Sequence, residues 1–133
     1  MAAEGAKLAI YHNVIAPYKV PFFEGLARAW DGEIVIFTSS MRRKLRREWG
    51  LQEIEAPNVE VRYLPAINSP LLGTWYNPGI FFKLLTETFD LLMTGDYMFL
   101  SAMLSLRAAK LKRKPVALYT VATRPITLRE DLL

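Results

Sequence analysis

Few side chains in this sequence can do chemistry, and they fall at the ends of apolar runs. His12, the only histidine, and Asn13 close the run Lys7-Leu8-Ala9-Ile10-Tyr11-His12; Gly95, Asp96 and Tyr97 follow a second run, Phe89 to Thr94. An imidazole can orient a hydroxyl or carry a proton near neutral pH. An amide such as Asn13 can bond hydroxyls through both its donor and its acceptor. With no partner visible along the chain, His12 reads as a strand-end residue hydrogen-bonded to backbone. Asn13 stays open between a hydroxyl ligand and a local turn-former. Asp96 could accept from a ligand hydroxyl, but a carboxylate just before a helix reads first as its cap. Gly95 suits a tight turn under either reading. Tyr97, Trp75 and Tyr76 offer stacking faces, which in loops are often only packing.

What is missing narrows the chemistry. There is no cysteine and one histidine, so thiolate chemistry, disulfides and imidazole-rich metal sites are not expected. No G-x-G-x-x-G turn or G-x-x-x-x-G-K-[ST] loop follows the first strand, and no G-x-S-x-G elbow occurs. A phosphoacceptor receiver would want acids after strand one and an aspartate after strand three; this chain has His12-Asn13 and Leu64-Pro65 there. No cofactor, metal or catalytic nucleophile is expected.

The net charge of +4 is concentrated. Met41 to Glu48 carries Arg42, Arg43, Lys44, Arg46 and Arg47 against one acid, and outside that run bases and acids balance at twelve each. Such runs are usually solvated faces. Here Met41, Leu45 and Trp49 share one helical side, so contact with anionic lipid headgroups ranks just behind. Nucleic acid ranks last, because no recognition motif accompanies the charge. No apolar stretch approaches a membrane span and the N-terminus does not read as a signal peptide, so a cytoplasmic location is expected.

These residues need elements to hold them. Apolar runs at about 7–12, 33–38, 59–64, 89–94 and 116–121 predict five strands, the third alternating as an edge strand does. Helices are predicted at about 19–30, with Pro21 in the first turn and Asp31-Gly32 as the stop, and at 41–49. Two more are predicted from an Asn77-Pro78 start to about Thr88 and over 98–112. Pro65 to Tyr76 reads as a long loop. Thr127-Leu128-Arg129-Glu130 is a capping box opening a helix just before the chain stops, so more protein is expected after Leu133. At 133 residues the chain makes one α/β domain, a doubly wound parallel Rossmann-like sheet. With strand one central, two and three on one side and four and five on the other, the switch point lies between strands one and four. Ligands bind at the carboxyl ends there, beside Asn13, the 14–18 loop, Gly95, Asp96 and Tyr97, with Thr123 and Arg124 adjacent.

The order Asn13, Pro17-Tyr18-Lys19-Val20-Pro21-Phe22-Phe23, Leu26, followed by Asn77-Pro78-Gly79-Ile80 and Phe89-Asp90-Leu91-Leu92-Met93-Thr94-Gly95, resembles the N-terminal domain of family 4 glycosyltransferases over residues 7 to about 124. Lys19 stands where that family commonly has arginine, which keeps a cation without bidentate geometry. The resemblance implies a retaining, metal-independent enzyme of two facing Rossmann domains. This chain would be the acceptor side, and the nucleotide-sugar donor would bind a C-terminal domain absent here. It implies that Asn13, Tyr18, Lys19, Gly95, Asp96 and Tyr97 line a site for a sugar, lipid-linked or polysaccharide acceptor, and that the isolated chain is inactive. The competing expectation is a non-catalytic α/β binding module, or a membrane-associated subunit of a split glycosyltransferase.

Overall fold

The computed structural model describes residues 5–12, 15, 19–39, 54–69, 74–95 and 100–119. Five strands form one parallel sheet: β1 (Leu8–His12), β2 (Ile34–Ser39), β3 (Val59–Leu64), β6 (Leu91–Gly95) and β7 (Val116–Tyr119). Their order is β3-β2-β1-β6-β7, the order the sequence predicts for its five strands. β1 and β2 are buried at every position, as continuous apolar runs covered on both faces must be. β3, with its partial exposure, is one edge.

The helices divide between the faces. α1 (Val20–Ala29) buries Phe23 and Ala27 against Leu8, Ile10, Ile34 and Ile36. On the other side α2 (Ile80–Thr86) and α3 (Leu100–Leu111) enclose Ala9, Tyr11, Val35, Phe37 and Leu92 through Ile80, Leu84, Ala108 and Ala109. Truncating Phe23 or Phe37, both fully buried, costs about 3–5 kcal/mol.

Two local expectations need correction, and a third holds for a different reason. The 65–76 segment is not simply a loop: β4 (Ile67–Ser69) and β5 (Thr74–Tyr76) pair antiparallel. Asn77 does not cap α2, which begins at Ile80 behind Gly79 with no side-chain cap bond; its amide turns inward instead. The stop expected at Asp31-Gly32 stands, but without left-handed backbone at Gly32. α1 ends at Trp30 in extended backbone, and Gly32 is small because a Cβ there would run into the Ala6 backbone. Asn58 completes that end by donating to the carbonyls of Ala27 and Gly32. The predicted basic helix at 41–49 and the capping box at 127 lie outside the described residues.

Candidate functional site

The chain leaves β1 for α1 on one face of the sheet and leaves β6 toward α3 on the other, which puts the topological switch point at the carboxyl ends of these two adjacent strands. Register decides what lines it. Tyr11 pairs with Thr94 and Gly95 with Tyr119, so His12, Gly95 and Tyr119 form a row across the last positions of β1, β6 and β7. Strand alternation puts all three on the α1 face.

The middle member of the row is small for a geometric reason. A Cβ on Gly95 would lie 2.6 Å from Cε2 and 2.7 Å from Cζ of Tyr119. The tyrosine ring therefore crosses β6 over a bare α-carbon and reaches β1, where its hydroxyl and His12 Nδ1 are 2.5 Å apart. The two rings lie nearly parallel at 6.0 Å. Phe23 packs edge-on to His12, and Phe22 tilts against Tyr119 at 6.0 Å. Lys19, at the N-cap of α1, carries its ammonium over the rings of Phe22 and Tyr119, 5.5 and 5.9 Å from their centroids, within range of a cation–π interaction.

Behind the row, on the opposite face, buried Asn77 gathers the same strand ends. Its Oδ1 accepts from the hydroxyls of Tyr11 and Ser39, both at 2.6 Å. Its Nδ2 donates to the carbonyls of Pro65 and Leu64, and its backbone N–H donates to Ser101 Oγ. Asn77 thus ties the ends of β1, β2 and β3, through its side-chain amide, to the first turn of α3, through its backbone N–H. Burying it fully is tolerable only because each of its polar atoms is used.

The perturbed carboxylates lie elsewhere. Burial pushes Glu87 up, but hydrogen bonds and charge from Lys7 and Arg62 more than reverse this and hold it below the usual carboxylate range. Glu60 is lowered by the hydrogen bond and charge of Arg62. Lys7 and Glu87 precede β1 and β6, beside Asp90, whose carboxylate accepts from the Lys7 backbone N–H. These groups clamp the amino ends of the strands, at the end of the sheet opposite the switch point.

Of the residues predicted to form the site, the structure brings Lys19 and Gly95 together around Tyr119. Tyr76 lies in β5, outside this row. Asn13, Tyr18, Asp96, Tyr97, Arg42, Arg43, Lys44, Arg46 and Arg47 lie outside the described residues, as do Thr123 and Arg124. Sequence reasoning did not single out Tyr119, took Phe22 only as part of the helix motif and Asn77 as a helix cap, and did not foresee the Tyr119 hydroxyl beside His12 Nδ1. Tyr119 lay inside the strand expected at 116–121, and only the register of β7 on β6 sets it beside Gly95.

The row can position hydroxyl groups: a phenol and an imidazole exchange hydrogen bonds in either direction, and a cation sits at the rim. Among the described residues no three His, Asp or Glu side chains converge as a metal site would need. No helix among them is long and apolar enough to cross a membrane. The fold is that of a small Rossmann-like α/β domain. Comparison with protein-family models, curated proteins and solved structures finds no match to this chain.

Proposed function

We propose that the chain is the acceptor-side domain of a retaining nucleotide-sugar glycosyltransferase with two Rossmann-like domains. The observation that carries this reading is the His12–Gly95–Tyr119 row at the switch point. It sits in a chain whose motif order resembles the N-terminal domain of family 4 enzymes. Asn13, Tyr18, Lys19, Asp96 and Tyr97 surround the acceptor in this reading, and Gly95 gives Tyr119 its seat beside them. Their contribution is orientation of the attacking hydroxyl. Charge stabilisation of the leaving diphosphate falls to a separate donor-binding domain. A peripheral cytoplasmic site, with Arg42, Arg43, Lys44, Arg46 and Arg47 toward anionic lipid, belongs to the same proposal.

The test is ligand-observed and imidazole NMR on the full chain with methyl glycosides, a short-chain polyprenyl-phosphate sugar and UDP-glucose. An acceptor-type compound should move the His12 ring signals, UDP-glucose should not, and the chain alone should transfer no sugar. Binding of UDP-glucose without any acceptor, or turnover by the isolated chain, overturns the assignment.

A further inference from the structure

The outer surface of α2 and α3 combines exposed apolar groups with cations that have no acidic counterpart. α3 turns Ala102, Ser105, Ala108 and Ala109 inward, which leaves Met103, Arg107, Lys110 and Leu111 as the opposite stripe at helical spacing. Met103 is 53% exposed, Leu111 66%, and Phe82 on α2 68%. Between the helices Phe81, Leu104, Arg107 and Leu111 line an open groove of about 360 Å³. Neither helix contains an Asp or Glu. Ion pairs among the described residues are confined to Lys7, Glu60, Arg62 and Glu87, so Lys83, Arg107, Lys110 and Arg113 carry uncompensated charge. Lys112 is not one of this set, because its ammonium turns in to the carbonyls of Leu84 and Glu87.

We propose that this face docks on an anionic lipid bilayer, with Phe82, Met103 and Leu111 in the headgroup boundary and Lys83, Arg107, Lys110 and Arg113 on lipid phosphates. The apolar groups alone would suit any hydrophobic partner. The acid-free cations among them select an anionic one, and their spread over two helices and the turn after α3 suits a continuous plane of charge. Mixed Phe/Leu and Lys/Arg composition is how interfacial helices bind, and each cation held near an anionic leaflet is worth about fivefold in partitioning. This surface uses neither the residues at the switch point nor the run at 41–47. Absence of all vesicle binding would remove both lipid contacts and leave the sugar-transfer reading standing, while binding without a shift at position 82 would assign the docking to 41–47 and overturn this proposal.

Because the chain has no cysteine, Phe82→Cys and, on the opposite side of the sheet, Ala29→Cys can each carry one environment-sensitive fluorophore. The full chain is mixed with vesicles of phosphatidylcholine alone or with phosphatidylglycerol added. The expected result is co-sedimentation with the anionic vesicles only, reversed by salt, and a blue shift at position 82 without one at 29. Arg107→Gln with Lys110→Gln should lower partitioning at least about tenfold. No binding to anionic vesicles, equal binding to neutral ones, or a shift at 29 and not 82 overturns the proposal. Capture of a purified acidic peptide in place of vesicles would reassign the face to a protein partner.

Discussion

Gly95 and Tyr119 hold paired positions at the ends of β6 and β7, and the Tyr119 ring fills the space a Gly95 side chain would need. The three atoms nearest to a hypothetical Gly95 Cβ all belong to that ring, so the requirement for glycine comes from one neighbour. Gly95→Ala should cost about 1–3 kcal/mol through this overlap. In a Tyr119→Ala background the same change should be neutral or mildly stabilising, since alanine outperforms glycine within a strand. Urea midpoints of the two singles and the double give the coupling directly. An equal penalty in both backgrounds would place the need for glycine elsewhere.

Tyr119→Phe separates the ring from its hydroxyl. The ring still packs against Phe22 and Gly95, while His12 Nδ1 loses its phenol partner. Stability should fall by about 1 kcal/mol. The sharper readout is nitrogen-edited NMR of the imidazole. A phenol is the more acidic of the two groups and the expected donor, so neutral His12 should carry its proton on Nε2 in the native chain. The tautomer balance should shift in Tyr119→Phe and be restored by reversion. Identical spectra in the two proteins would mean that the phenol does not orient His12.

Asn77→Ala should be among the most damaging single changes to a polar residue in this chain. It removes the shared acceptor of the Tyr11 and Ser39 hydroxyls and the donor to the Leu64 and Pro65 carbonyls, at a cost of about 3 kcal/mol or more. Tyr11→Phe and Ser39→Ala each remove one donor and leave Oδ1 another, so about 1 kcal/mol is expected for either. Thermal or urea unfolding ranks the three. If Asn77→Ala proved as mild as Ser39→Ala, the amide would not be what joins these strand ends.

The strands and their order were legible because β1 and β2 are uninterrupted apolar runs and the connections obey a single handedness. The row was only half legible. His12 and Gly95 stand at visible strand ends, but Tyr119 enters solely through a register that no local pattern encodes. Asn77 misled for a related reason. Asn before Pro is a good helix-start signal, and only tertiary demand from Tyr11 and Ser39 turned the amide away from α2. The hairpin of β4 and β5 was hidden because three-residue strands carry too few alternations to register as a period.

Glu87 supplies a pH-dependent clamp. Its carboxylate is mostly buried between Lys7 at 2.6 Å and Arg62 at 2.5 Å. Burial alone would raise its pKa, and the two cations lower it past the ordinary value. A carboxyl whose folded-state pKa is depressed binds its proton more readily when unfolded. Its contribution is therefore complete above the unfolded pKa of about 4.3 and lost as pH falls through the lower folded value. Glu87→Gln should be destabilised near pH 7, because it leaves Lys7 and Arg62 without their shared counter-ion. The gap between variant and native protein should close as the medium is acidified below the usual carboxylate range. Urea midpoints measured from neutral pH downward test both halves. A gap that persists unchanged in acid would mean that the substituted amide is simply a poorer fit, with no linked proton. A gap that widens would reverse the sign of the shift and remove Glu87 as an acid-sensitive link between β1, β3 and β6.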